Sequence, residues 1–198
     1  MEIRKIIVSP FRTNCYILIK NDEVIIVDPG SGAKKIEEII ADKKVVGILL
    51  THGHLDHIGA VDSLYKKYRC PIYSCRQDEK MIRDAQYNTL YGHSATVKSP
   101  ICWITKDSFN VGLFNIKVLF TPGHSKGSVM YIIDNKLFSG DTLFHMSVGR
   151  VDLYGGSQHQ LEESLQQLNE LDSQMEVYPG HDEMTTVGFE LQNNPFLH

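Results

Sequence analysis

No apolar run in this chain approaches the length of a membrane span, and the opening MEIRKIIVSPF scatters its charges among short apolar pairs instead of building a signal-peptide core. A soluble, cytoplasmic protein without membrane partners is the expectation. Cysteine is scarce as well: Cys15, Cys70, Cys75 and Cys102 are dispersed, and the closest pair is spaced C-x4-C, not C-x2-C. They read as free, mostly buried thiols in a reducing compartment. A chain of 198 residues buries roughly two-thirds of its unfolded surface without disulfide help. Excess positive charge is missing too, the formal net charge being −4, which removes the case for a nucleic-acid binder. Lys and Arg stop altogether at Arg150: residues 1–150 carry all 20 of them against 15 acids, whereas residues 151–198 carry 9 acids and no cation of either kind. That tail, taken alone, reads as a solvated acidic surface. Linkers and low-complexity stretches are absent, so residues 1–198 are expected to form one domain.

What is present alternates strand and helix patterns. EIRKIIV, CYILIK and VIIVD read as strands, the last two joined by a polar turn at Asn21 and Asp22. SGAKKIEEIIADKK sets Ile36, Ile39 and Ile40 on one face, an amphipathic helix behind Ser31 and Gly32. VVGILL follows as a buried strand, AVDSLYKKY as a helix, PIYSC as a short strand and RQDEKMIRDAQYNTL as a second helix. Residues 91–106 show no clear pattern. FNVGLFNIKVLF reads as two short strands, SVMYII and KLFS flank a turn at Asp134 and Asn135, QHQLEESLQQLNEL is helical, and MEVY is a last strand. Hairpins on both sides of a βα region fit an α/β sandwich of mixed sheets better than a doubly wound parallel sheet. YILIKNDEVIIVDPG and YIIDNKLFSGD repeat one pattern, implying two similar halves that each end a hairpin with a carboxylate at one edge of the core.

Three apolar strands end in a Gly-His pair, in ILLTHGH, KVLFTPGH and MEVYPGH, and a fourth, LFSGD, ends in an aspartate. Loops at one rim of a rigid scaffold bring such residues together. His52 and His54 can reach one ion, while Asp56 and His57 face a second. His124 and His181 can complete the two sets, and Asp141 can bridge them. Imidazoles and carboxylates suit zinc, iron or manganese, and the lack of an adjacent cysteine argues against a thiolate-rich structural site. A lone histidine is usually a surface or core residue, and His93, His145, His159 and His198 are read that way. Three histidines within six positions, in a chain with 9 in all, are not.

THGHLDHIG resembles the HxHxDH motif of the metallo-β-lactamase fold, and TPGHSKGS, SGDTLF and YPGHDEMT are similar to its later motifs in the same order. TNCYIL and VDPG resemble the first hairpin of that family, so the likeness runs from about Thr13 to the end. It implies a four-layer αββα sandwich of two mixed β-sheets flanked by helices. The best-known zinc β-lactamases have arginine where His57 stands and cysteine where Asp141 stands, and the flavo-diiron branch has an acid where His54 stands. GRVDLYGG at 149–156 and ELQNNPFL near the end instead resemble short glyoxalase II-like (hydroxyacylglutathione hydrolase-like) enzymes. Longer glyoxalase II enzymes add a C-terminal helical domain whose cations hold glutathione, whereas 17 residues follow His181 here.

That resemblance implies two divalent ions, zinc first with iron or manganese compatible. His52, His54 and His124 would hold one, Asp56, His57 and His181 the other, and Asp141 both. It implies hydrolysis of small hydroxyacyl thioesters such as S-lactoylglutathione by a bridging hydroxide, with Asp56 orienting the nucleophile and accepting its proton. Arg150 is a candidate for a substrate carboxylate, or else an ion pair with Asp152. Lys126, where relatives have HTPGS, is exposed and neutral in effect or adds positive charge at the site mouth. With no cation after Arg150, weak affinity for glutathione thioesters, or a different thiol, is expected. A mononuclear iron persulfide dioxygenase, which shares the fold and a GR-x-D stretch, is the main alternative; hydrolysis of another ester or a lactone and a non-enzymatic metal-binding module are the others.

Overall fold

The computed structural model describes residues 1–197; His198 lies outside them. The chain opens with an antiparallel meander of β1 (Glu2–Val8), β2 (Thr13–Lys20) and β3 (Glu23–Val27). Helix α1 (Ala33–Ile40) then crosses to β4 (Lys44–Leu49), parallel to β3. Short α2 (Leu55–Ile58) and α3 (Val61–Tyr68) lead to β5 (Ile72–Ser74). After α4 (Glu79–Arg83) come a small ribbon, β6 (Thr89–Leu90) with β7 (His93–Ser94), and the edge strand β8 (Cys102–Trp103). The first sheet has the order β1-β2-β3-β4-β5-β8.

The second half repeats the plan. Strands β9 (Ser108–Val111), β10 (Phe114–Phe120), β11 (Val129–Ile133) and β12 (Lys136–Gly140) form antiparallel neighbours. A second ribbon, β13 (Leu143–Phe144) with β14 (Ser147–Val148), precedes α5 (Gln158–Leu165). Strand β15 (Glu176–Pro179) lies parallel to β12, followed by β16 (Thr185–Thr186) and α6 (Val187–Asn193). The sheet order is β16-β15-β12-β11-β10-β9. The two sequence repeats are the β2–β3 and β11–β12 hairpins, and in each sheet the hairpin's second strand gains a parallel neighbour.

Period-2 alternation explains the layering, because successive side chains of a strand face opposite ways. On β2, Cys15, Ile17 and Ile19 join a cluster with Ile36 and Ile40 of α1 and Leu64 of α3, while Tyr16 and Leu18 join Phe114, Tyr131 and Phe138 of the other sheet. Met130 and Leu137, on the outer face of the second sheet, join Leu161 and Leu165 of α5 and Val187 of α6. Three apolar interiors therefore separate helix, sheet, sheet and helix, the αββα sandwich. Each fully buried residue of this kind contributes about 1.5–3 kcal/mol before entropy is counted.

One predicted helix is not formed as a unit. In residues 76–90 only Glu79–Arg83 is α-helical. Asp78 turns its carboxylate inward to the backbone N–H groups of Gly53 and Gly127, and Asp84, in extended backbone, accepts a hydrogen bond from the Gln86 N–H (2.9 Å). Local side-chain acceptors thus compete with the helix. The run at 158–171 begins as α5 and tightens into a 3-10 turn over Gln166–Glu170. Cys15, Cys70 and Cys75 are buried, Cys102 is exposed, and all are unbridged. Among the described residues no helix is long and apolar enough to cross a membrane.

The parallel pairs β3/β4 and β12/β15 end at one rim, followed by Asp28, His52, Asp141 and His181 respectively. There the Val129 N–H donates to the Thr51 carbonyl (2.8 Å) and the Asn14 N–H to the Gly180 carbonyl (2.7 Å), tying the loops of the two halves together.

Candidate metal centre

The THGHLDH segment leaves β4 as a loop and enters α2 only at Leu55, so His52 lies in a bend and His54 on extended backbone while Asp56 and His57 lie on a helical turn. That change of conformation aims the four side chains at two positions. His52, His54 and His124 present ligand atoms within 4.8 Å of one another, and Asp56, His57 and His181 do the same. Asp141 touches both sets: its carboxylate oxygens lie 3.3 Å from His57 Nε2, 3.5 Å from His124 Nε2 and 3.4 Å from His181 Nε2. All seven side chains expected from the motifs are therefore brought together. The glycines beside the histidines serve close approach as much as turning, since a Cβ on Gly180 would overlap the Asp141 carboxylate.

Hydrogen bonds on the far side of each ring set its tautomer. The Thr51 hydroxyl donates to Asp28 Oδ2 (2.6 Å), so it accepts from His52 Nδ1 (3.0 Å). His57 Nδ1 donates to the same Asp28 oxygen (2.9 Å), and His124 Nδ1 donates to the Arg150 carbonyl (2.7 Å). In its neutral form each of these rings is left with an unprotonated Nε2 facing inward, the arrangement that metal-binding histidines adopt. Nε2 of His52 and of His57 and Oδ1 of Asp141 are buried without a hydrogen-bond partner, while His54 turns Nδ1 to the cluster, 2.8 Å from His124 Nε2. An unpaired buried polar atom costs about 1–3 kcal/mol. Several converging on one spot fit cations held there.

Charge points the same way. Burial, reinforced by neighbouring imidazoles, pushes His52 well below the usual imidazole range, His54 down to about 3 and His124 below its ordinary value. Burial also opposes charging His57, but Asp141, Asp56 and Asp28 outweigh it and bring the pKa up to about 9. At His181, Asp141 and Asp56 overcome burial in the same way, to about 11. Burial would raise the carboxyls of Asp56 and Asp141, yet the histidines, His57 first, hold both well below the carboxylate range. A cluster that draws protons onto His57 and His181 is one that a divalent cation neutralises better.

Two supporting residues escaped motif reading as site residues. Asp28 belongs to a third metal-sized group with His52 and His57, but its oxygens already accept from Thr51 N–H, Thr51 hydroxyl and His57, so it orients ligands instead of adding one. Thr13 donates its hydroxyl to Asp56 Oδ2 (2.6 Å). The signal for both was present in TNCYIL and VDPG, as residues of the first hairpin. The cluster opens on a cavity of about 620 Å³ whose walls include Phe11, Tyr87, Phe144, Arg150 and Tyr154. Arg150 lines it while binding Asp152 through two hydrogen bonds, 2.6 and 2.7 Å, so the ion pair and the cavity position coexist. Lys126 does not line it; its ammonium stands 5.8 Å from the Tyr154 ring centre. His93, His145 and His159 are exposed and outside the cluster.

The sequence profile of the Metallo-beta-lactamase superfamily matches residues 8–181, a span that contains every residue of this cluster. The chain belongs to the metallo-beta-lactamase superfamily. Among curated superfamily members, it is 39% identical to the probable metallo-hydrolase YqgX of Bacillus subtilis (strain 168), over 100% of this chain and 98% of that one. It is 33% identical to the hydroxyacylglutathione hydrolase GloC of Haemophilus influenzae, over 100% and 98%. Of solved superfamily structures, the BLEG-1 B3 metallo-beta-lactamase superimposes with a TM-score of 0.94 at 36% identity, covering 99% of both chains. TTHA1623 in a di-iron-bound form gives 0.87 at 32%, covering 98% of this chain and 100% of that one.

Asp28→Asn in this superfamily member tests the orienting network. The amide keeps the shape but loses the charge that His57 Nδ1–H and the Thr51 hydroxyl are turned towards. Metal affinity, read by competition with a chromophoric chelator, is expected to fall about 10–100-fold; an affinity within about threefold of wild type would mean that Asp28 orients nothing.

Proposed function

We propose that the chain is a metal-dependent hydrolase of small thioesters. The observation that carries this reading is the pairing of two ligand groups, joined by Asp141, at the floor of an open cavity. His52, His54 and His124 would hold one divalent cation and Asp56, His57 and His181 the second, with Asp141 near both groups. When bound, such cations would make hydroxide available at neutral pH, the pKa of water falling from ~15.7 towards ~7, and would polarise a carbonyl.

The rest falls to side chains of this chain. Asp56 has an oxygen fixed by Thr13 and is placed to take the proton of the attacking water on its carboxylate. Phe11, Phe144 and Val148 give the cavity apolar wall that displaces water from the acyl group. A thiolate leaves readily, its parent thiol having a pKa of about 8.5, so no further general acid is required. Likeness to the hydroxyacylglutathione hydrolase GloC along almost its whole length supports the thioester class.

A substrate panel run with elemental analysis tests the reading. Lactoyl thioesters are expected to turn over without oxygen and with two metals per chain. Turnover of lactones or β-lactams in preference to thioesters would move the assignment to another bond, the β-lactam arm being prompted by the likeness to BLEG-1. Oxygen uptake with a persulfide and one iron per chain would replace hydrolysis by dioxygenation.

A further inference from the structure

The cavity has a second feature besides its metal-ligand floor. Tyr87 and Tyr154, both in its wall, pair with ring centres 4.6 Å apart and planes tilted by 48°. Each ring carries a lysine ammonium: Lys80 Nζ stands 4.1 Å from the Tyr87 centre and Lys126 Nζ 5.8 Å from that of Tyr154. A tyrosine face holds an ammonium without cancelling its charge. Among the described residues neither lysine forms an ion pair with a carboxylate, whereas Arg150, the cation singled out by motif, is clasped at two points by Asp152. Neither lysine is itself part of the cavity lining; each stands at the ring of a wall tyrosine, and its charge, unlike that of Arg150, has no carboxylate partner among the described residues.

Their placement is built in. Asp78, buried, accepts from the Gly127 N–H (2.7 Å) and the Ser125 hydroxyl (2.7 Å), on either side of Lys126, and from the Gly53 N–H (2.9 Å) between two ligand histidines. The same residue immediately precedes α4, which carries Lys80. One carboxylate thus fixes both lysine segments relative to each other and to the metal-ligand loop. Gly155, at φ 85°, packs against the Lys126 stem, where a Cβ would come within 3.1 Å of Lys126 Cγ.

We propose that Lys80 and Lys126, set over the Tyr87–Tyr154 pair, receive an anionic group, carboxylate or phosphate, borne by the thiol portion of the substrate. The substrate class rests on the thioester reading, in which the carbonyl sits at the metal-ligand floor and the thiol carrier is the extended part. The two lysines supply what the cation-free tail after Arg150 does not.

The test compares kcat/KM of the metal-loaded enzyme for lactoyl esters of glutathione (carboxylates), coenzyme A (phosphates) and N-acetylcysteamine (neutral). At least one anionic thiol is expected to be preferred over the neutral one, which also names the anion. The preference is expected to fall about tenfold in K80M/K126M, the scale of two exposed charge contacts, and to persist in K80R/K126R. No preference in the wild type, or a preference that survives the double methionine substitution, overturns the proposal. If none of the three esters is hydrolysed, the thioester reading fails, and calorimetry with S-methylglutathione and S-methyl-coenzyme A decides the receptor separately. Binding weakened about tenfold in K80M/K126M supports it; binding that is unchanged or undetectable in the wild type overturns it.

Discussion

Exhaustive chelation is expected to abolish hydrolysis and to lower the thermal midpoint, with divalent metal restoring both. The cluster leaves Nε2 of His52 and of His57 and Oδ1 of Asp141 unpaired and gathers Asp28, Asp56 and Asp141 around His57, so its stability is tied to a cation. Metal at about 100 times its Kd adds ~2.7 kcal/mol to the folded state. For a domain of this size that corresponds to about 5–11 °C.

The loss should depend on pH. In metal-free protein the folded pKa values of His57 (about 9) and His181 (about 11) lie above the unfolded imidazole value of ~6.5. A raised pKa contributes stability that is complete below ~6.5 and is lost as pH rises through the folded values. Metal binding runs the other way, because the ligand imidazoles must be unprotonated. The gap between metal-loaded and stripped midpoints therefore widens from about pH 7 to about pH 9, a trend that differential scanning calorimetry reads directly. A stripped protein that stays active, or a gap that narrows with pH, would refute the metal assignment.

Asp56→Asn is expected to reduce kcat/KM by about 10²–10⁴ while the fold persists. The asparagine keeps an oxygen for the Thr13 hydroxyl, so the local geometry around 2.6 Å contact survives. It loses the charge that faces His57 Nε2 at 3.5 Å and His181 Nε2 at 3.3 Å, and with it the proton acceptor and one ligand of the second metal group. Elemental analysis should show that group depleted first, His52, His54 and His124 being untouched. Assaying at saturating metal separates the two roles: a deficit that persists there belongs to proton transfer, and one that disappears belongs to binding. Activity within about tenfold of wild type at ordinary metal levels would remove Asp56 from the mechanism.

Much of this was legible without coordinates, for identifiable reasons. His52, His54, Asp56 and His57 are close in sequence, so no fold is needed to see that they share a site. His124, Asp141 and His181 were readable because each follows an apolar strand in a glycine-marked loop, and strand periodicity survives in sequence. The sandwich of mixed sheets was legible from the order of hairpins and βα units, and its four layers from the family resemblance; β2 and β3, buried along almost their whole length, are where the structure stacks them. The helix expected over 76–90 failed because Asp78 finds its partners at Gly53, Ser125 and Gly127, far along the chain, and no local pattern records that. Asp28 was legible only as a carboxylate that ends the first hairpin at one edge of the core; packing placed it behind His57. Which cation is free was likewise a tertiary matter: Arg150 is matched by its neighbour Asp152, while Lys80 and Lys126 are brought together by the contact of Tyr87 with Tyr154 and by Asp78. The sequence by itself determined which atoms can bind metal, since ligand chemistry belongs to residue type. Only the tertiary structure decided which nitrogen faces inward, which carboxylate supports another and where the remaining charge stands, because those depend on partners brought together by folding.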